Sequence, residues 1–282
     1  GFFAILAVAS ITIYMLVSGA PALFQVGIKE LLFGTLWQPE AAEPSFGILY
    51  VILTSIIGTA LAVLLGMPIG VLTAVFLAEV APERLANIVR PAVELLAGIP
   101  SVIYGLLGIL ILNPLMYKLE LWVFKGSETH QFTGGANLIS AVLVLALMIL
   151  PTVINISESA LRAVPSHLKS ASLALGATKI QTIFQVVIPA AKSGILAAVV
   201  LGIGRAIGET MAVIMVAGNQ ARMPQGILKG LRTMTANIVT EMGYATGMHR
   251  EALIATGVVL FVFILIINLS LSLLNRRAEN AN

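Results

Sequence analysis

Of the 282 residues, 59% are hydrophobic and 10% charged, far below the roughly 25% charge of a soluble globular domain, so water is not the main solvent of this chain. The formal charge of +3 comes from basic residues scattered between apolar runs, and without a dense Lys/Arg cluster it does not point to nucleic acid as a partner. Cysteine is absent and Glu is the sole side-chain carboxylate, which excludes disulfides, Cys-based metal sites and thiol redox chemistry.

A helix needs about 20 apolar residues to cross the hydrocarbon core. The apolar runs predict six spans, near 2–24, 47–79, 91–117, 137–157, 193–219 and 251–275, giving an all-α polytopic integral membrane protein surrounded by lipid. The run from Phe2 to Leu16 follows Gly1 with no charged stretch ahead of it. It is expected to be a span preceded by a cytoplasmic leader rather than a cleaved signal peptide. The second span is too long for one straight crossing, and Gly66-Met67-Pro68-Ile69-Gly70 is expected to kink or interrupt it. Pro100, Pro114 and Pro151 fall inside the third and fourth spans, where each missing backbone donor must be compensated by a neighbouring helix or water. Such helices suit a bundle that lines a pathway, although proline is also common in membrane helices generally. Glu79, Glu94 and Glu158 are expected at the membrane interface. His130, His167 and His249 fall in loops without metal-ligand spacing and read as solvated.

Between the fourth and fifth spans the sequence predicts a helical hairpin over 158–192. Pro165-Ser166 gives a start signal, and Leu168, Ala171, Ser172 and Leu175 recur at i, i+3, i+4 and i+7 before Gly176, a helix stop. Thr178 is placed to cap a second helix in which Ile180, Ile183, Phe184 and Val187 repeat that spacing. An apolar face of this kind either packs under the bundle, lies in the lipid interface or meets a partner. Within the fifth span, Arg205 and Glu209 are one turn apart and can pair. Charged groups at that depth usually face a protein interior or an aqueous cavity, and the planar donor fork of Arg matches the oxygens of an oxyanion. An ion pair bracing two helices is the structural alternative. Gly204-x3-Gly208 overlaps the pair and permits close approach of another helix. The connection 220–250, with Arg222, Lys229, Arg232 and Arg250, attracts an anion, contacts a partner protein or is a solvated loop.

Ser170-Ala171-Ser172-x3-Gly176-Ala177-x8-Val186-x-Ile188-Pro189 resembles the EAA loop of ABC importer permeases, E-A-A-x3-G-x9-I-x-L-P, throughout its spacing. Three further stretches extend the likeness from about residue 34 to 275: Gly34-Thr35-Leu36-Trp37-Gln38-Pro39 with Phe46-Gly47, Leu96-Ala97-Gly98-Ile99-Pro100-Ser101-Val102-Ile103-Tyr104-Gly105, and Gly202-Ile203-Gly204-Arg205-Ala206-Ile207-Gly208-Glu209-Thr210-Met211-Ala212-Val213. Together they resemble the phosphate-specific transport permeases of the binding-protein-dependent, type I ABC importer family. Met-Ala after Gly-Glu-Thr resembles the PstC type rather than the paralogous PstA type, which usually has Ala-Pro there.

That resemblance implies a type I ABC importer permease fold in a prokaryotic cytoplasmic (inner) membrane. It implies a first helix and extracytoplasmic segment over 1–46, a permease core over 47–275 and a cytoplasmic tail over 276–282. It also implies a path for phosphate shared with a second, PstA-like permease subunit, with Arg205, Glu209 and Thr210 as path candidates. Ser170, Ala171, Ser172, Gly176, Ala177 and Pro189 would couple to two separate PstB-like ATPase subunits, and a PstS-like extracytoplasmic binding protein would deliver the phosphate. Ser170 stands where the family has glutamate, so a carboxylate contact to the ATPase does not carry over. Loop charge does not orient the chain, since eight Lys/Arg on the side assigned as cytoplasmic face seven on the other; the coupling loop does. No Gly-x4-Gly-Lys-Ser/Thr loop occurs, so ATP and Mg are expected on the partner ATPase, with no cofactor and no catalytic site on this chain. A permease for molybdate or sulfate remains a competing reading. An ion-coupled secondary transporter would call for an inverted repeat, and an intramembrane enzyme for a constellation of catalytic groups absent from the spans.

Overall fold

The computed structural model describes residues 2–127 and 130–280, without the side chains of 271, 272 and 274–280. Helix α1 (Phe2–Phe33) is loosened at Leu23–Gly27, where Gly27 takes a φ of +88°. A short hairpin follows, with β1 (Trp37–Gln38) antiparallel to β2 (Ser45–Phe46) and Trp37 opposite Phe46. Helix α2 (Leu49–Val80) leads to α3 (Glu83–Gly98), α4 (Ser101–Val123) and α5 (Leu138–Arg162). The expected hairpin is α6 (Ser166–Ala174) and α7 (Lys179–Ala190). Next come α8 (Lys192–Gly208), α9 (Met211–Val216), α10 (Met234–Glu241) and α11 (Gly247–Asn280). Among the described residues, α1, α2, α4, α5 and the first 24 residues of α11 are each long and apolar enough to cross a membrane. The α7–α8 pair, bent by 68°, passes the same test only when its two helices are taken together, as a broken span or a re-entrant loop.

Several expected boundaries move, each for a local reason. Helix α2 runs through Pro68 without interruption and stops at Ala81-Pro82, after a wide last turn in which the Ala81 amide donates to Phe76 O at 2.7 Å. The third span expected at 91–117 is broken. Ile99 is extended ahead of Pro100, as the proline ring demands of the residue before it, so α3 and α4 are separate helices. On α3, Glu83, Asn87, Arg90 and Glu94 form one polar stripe, which a lipid-crossing helix would not tolerate. The fifth span expected at 193–219 ends at Gly208 and resumes at Met211. At the other end of the chain, α11 continues to Asn280, while residues 281 and 282 of the expected tail lie outside the described residues.

The helices assemble into two compact units, neither of them one continuous stretch. The first comprises Gly1–Gly58, Ser101–Val144 and Gly208–Ile266; the second comprises Thr59–Pro100, Leu145–Ile207 and Ile267–Asn282. The first is centred on Ala22 and Leu31 of α1, Trp37 and Phe46 of the hairpin, Tyr50 and Val51 of α2, Met234 of α10, and Ala252, Leu253 and Ala255 of α11. Gly34 and Gly47 let the chain fold back here. A Cβ on Gly34 would lie 2.8 Å from Gly47 Cα, in a turn closed by Leu49 N–H to Gly34 O at 3.1 Å. The second unit packs Ala74 and Val75 of α2 and Leu161 of α5 with Val164, Ile183, Val187, Ala191 and Ile195.

Small residues set the helix spacing in the second unit. A Cβ at Gly66 would meet Ile149 Cδ1 at 2.8 Å and Ala146 O at 3.0 Å, and one at Gly70 would meet Val153 Cγ1 at 2.8 Å. With little hydrophobic drive between helices in lipid, such close approach supplies much of the packing energy. Gly66→Val should therefore cost about 1–3 kcal/mol through overpacking. Thermal melting of the detergent-solubilised chain should show it as a lowered midpoint. Gly58→Ala, whose Cβ would meet just Leu138 Cδ1 at 4.0 Å, should melt like the parent.

Candidate functional site

Helix α8 carries Arg205 in its last turn, where the negative end of the helix dipole favours a cation. Arg205 is half-buried and, among the described residues, has neither a hydrogen-bond nor an ion-pair partner. The helix ends three residues later at Gly208, so Arg205 and Glu209 do not share a continuous helix and the expected one-turn pairing does not form on one. Glu209 instead caps the next helix, its Oε1 accepting the Ala212 N–H at 3.1 Å while its carbonyl accepts the Thr235 hydroxyl at 2.9 Å. Thr210 donates its hydroxyl to Gly208 O at 3.2 Å. The Gly-Glu-Thr motif is thus a helix break. Glu209 and Thr210 belong to the first unit and Arg205 to the second. The close approach expected at Gly204 and Gly208 is not made within this chain, since no described atom lies within 4 Å of a Cβ at either position.

The hairpin forms by the turn chemistry expected of it. Gly176 has a φ of +88°. Its amide donates to Leu173 O at 3.0 Å and the Ala177 amide to Ser172 O at 3.2 Å, the paired bonds of a Schellman turn. Thr178 and Gln181 make a reciprocal capping box at the start of α7. The hydroxyls of Ser172 and Thr182 lie 2.9 Å apart and join the two helices. Of the expected apolar face, Ile183 and Val187 are buried in the second unit, whereas Leu168, Leu175, Ile180 and Phe184 are exposed, Leu175 by 91%. The hairpin is held by α7 and presents apolar side chains around the Gly176 turn. Ser170 and Ala171 are exposed on α6, as is Pro189 near the end of α7, and Ala177 is half-buried in the turn.

The expectation of solvated histidines is overturned at His130 and His249, and one of the expected interfacial carboxylates, Glu158, is paired within the protein. In the second unit Glu158 is buried, and its Oε1 accepts from Arg90 Nε at 2.6 Å and Arg162 Nε at 2.8 Å. Both arginines also donate through Nη2 to Leu77 O at 3.3 Å, binding the ends of α2 and α5 to the middle of α3. In the first unit His130 Nε2 lies 2.8 Å from Oε1 of the fully buried Glu120, whose carboxylate also accepts the Thr133 amide and hydroxyl. His249 is buried in the first turn of α11, 2.8 Å from Glu241 Oε2. That oxygen also accepts Trp37 Nε1–H at 2.8 Å, while Glu241 Oε1 accepts from Arg232 Nη1. Asn237 Oδ1 completes the cluster by accepting from Tyr50 OH at 2.9 Å and Arg232 at 3.1 Å. Arg232 is therefore not a solvated loop charge. His167 is exposed, as expected. At the rim of the cluster, desolvation and then the Glu241 and Glu40 charges raise the Tyr244 phenol above its ordinary value.

Residues 66–280 match the family model of the binding-protein-dependent transport system inner membrane component. The chain belongs to this family. Relatives include a probable ABC transporter permease protein, YqgH, of Bacillus subtilis, 38% identical over 271 residues that cover 93% of this chain and 84% of that protein. The phosphate transport system permease protein PstC of Xylella fastidiosa is 35% identical over 294 residues, covering 99% of this chain and 89% of that one. The fold matches a bacterial alginate ABC transporter with a TM-score of 0.65 at 18% identity, over 98% of this chain and 94% of that chain. It also matches the MetNI methionine ABC transporter in an inward-facing form, with a TM-score of 0.60 at 19% identity, over 82% and 95% of the two chains. The architecture is that of a type I ABC importer permease, and the chain is a multi-pass transport component, not an enzyme.

Glu241→Leu should be the most damaging change in the first unit, because it strands Arg232 and leaves the Trp37 and His249 donors unmatched. Removing one partner of a largely buried pair costs about 3 kcal/mol. Thermal unfolding should register that loss together with faster amide exchange in 234–241.

Proposed function

We propose that this chain is the PstC-type permease subunit of an ATP-driven importer of inorganic phosphate in a prokaryotic cytoplasmic membrane. A second, PstA-like permease completes the path, a PstS-like binding protein delivers phosphate from outside, and two PstB-like ATPase subunits hold ATP and Mg and drive alternation. The chain itself binds no cofactor.

The observation that carries the reading is Arg205. A cation in a membrane helix costs a few kcal/mol or more unless it meets a partner or a wet cavity, and this one has no partner among the described residues. Its donor fork is free for phosphate oxygens, which accept two parallel N–H bonds from a guanidinium. The names of the PstC relatives support phosphate over other oxyanions. Glu209 plays a different part from the one its sequence position suggests. Engaged on the Ala212 amide, it fixes the start of α9 and holds open the break that Thr210 follows. Coupling falls to the hairpin. Leu168, Leu175, Ile180 and Phe184 offer an apolar knob around Gly176, suited to a groove on the ATPase, and Ser170 removes the carboxylate from that contact.

Arg205→Ala should lower phosphate uptake roughly tenfold to a hundredfold at equal membrane abundance, the value of a charged hydrogen bond. Arg205→Lys should also be impaired, because a point charge replaces the fork. Wild-type uptake by Arg205→Ala would remove the path role. Parallel loss of assembly and thermal stability would instead indicate a brace.

Gly176→Val tests coupling separately. The left-handed turn costs a β-branched residue about 1–2 kcal/mol, and no neighbour lies within 4 Å of its Cβ, so the effect is one of backbone conformation alone. Uptake and binding-protein-stimulated ATP hydrolysis should both fall, with ATPase subunits lost during purification and the permease still inserted. Normal retention and normal uptake together would contradict coupling through 166–188.

A further inference from the structure

Helix α6 buries none of its residues, so apolar packing does not hold it to the second unit. The chain just ahead of its N-terminal end is anchored by Val164, buried in one cluster with Leu161 and Ile183, and its far end turns at Gly176. Among the described residues, two side-chain polar contacts remain along its flank. One is the Ser172–Thr182 hydroxyl pair, which joins α6 to α7 within the hairpin. The other leaves the hairpin: Lys169 Nζ donates to Glu79 Oε1 in the last turn of α2. The Glu79 side chain is 10% exposed and that of Lys169 27%. Glu79 stands at the negative end of a helix dipole, where a carboxylate is disfavoured without a cation beside it.

We propose that Lys169 and Glu79 are positioning residues that form a strut, transmitting displacement of the hairpin to the cytoplasmic end of α2. The transmission rests on the ABC reading above; the strut itself does not. An ion pair this enclosed is stiffer than a surface pair, because breaking it exposes Glu79 unpaired. Through the strut the exposed helix moves together with α2. The adjacent Ser170, in the position of the family glutamate, leaves Lys169 free of a competing carboxylate one residue away.

The test uses the assembled transporter in lipid nanodiscs and proteoliposomes, with Glu79→Gln, Lys169→Met, Lys169→Arg and the exchanged pair Glu79→Lys/Lys169→Glu. Glu79→Gln and Lys169→Met should speed amide exchange in 166–174 roughly tenfold while leaving 183–190 protected. They should also lower phosphate taken up per ATP hydrolysed about fivefold or more. Lys169→Arg should keep both properties, and the exchanged pair should recover most of each. Unchanged exchange in 166–174 would overturn the strut. Faster exchange with unchanged uptake per ATP would overturn its role in transmission. Failure of a folded exchanged pair to recover either property would overturn the pairing. If wild type itself neither retains an ATPase nor couples uptake to ATP, the importer reading fails, and the exchange measurement still decides the strut.

Discussion

Carboxylates at the wrong ends of helices dictate much of this structure. Glu79, Glu120, Glu158 and Glu241 each stand in the last turn or two of a helix, where the dipole opposes negative charge. Glu120, Glu158 and Glu241 are buried as well. None of these positions is tenable without donors, and each has drawn them from elsewhere in its own unit: Lys169 to Glu79, Arg90 and Arg162 to Glu158, Arg232, Trp37 and His249 to Glu241, His130 and Thr133 to Glu120. Apolar packing does not choose among helix pairings strongly in lipid, whereas these bonds specify which helix ends meet. Arg205, half-buried in the last turn of α8, has no such partner among the described residues.

The two kinds of site divide the work. Paired charges near helix ends tie segments into compact units, whereas Arg205 in α8 has no partner among the described residues. The break at Gly208–Thr210 separates the two. Glu209 is engaged on the Ala212 amide and belongs to the first unit, whereas Arg205 belongs to the second.

How much of this was legible in the sequence depended on the range of the interaction. The hairpin was fully readable because Pro165, Gly176 and the Thr178/Gln181 box act over three or four residues, and glycine at a positive φ is a local necessity. Five of the spans were readable from hydropathy, with errors of register. The third was misplaced because 91–117 mixes the apolar stripe of α3 with the true span α4, and Pro100 marked the boundary between them. The partners of His130 and His249 lie ten and eight residues away across turns, a separation without helical periodicity. Glu79 and Lys169 are 90 residues apart, beyond any local rule. For Arg205 and Glu209 the spacing suits a pair but the helix ends between them, and the signal for that is Gly208, which acts as a helix stop rather than a packing residue.

The central claim is that the free guanidinium in α8 serves an ATP-driven path for phosphate. Proteoliposomes containing this chain with its partner permease, ATPase subunits and binding protein, loaded with ATP on the ATPase side, test it most directly through radiolabelled phosphate uptake with sulfate and molybdate as competitors. Phosphate should accumulate only with hydrolysable ATP and should be unaffected by excess sulfate or molybdate. Equal transport of the competing oxyanions, or phosphate entry independent of ATP, would contradict the account.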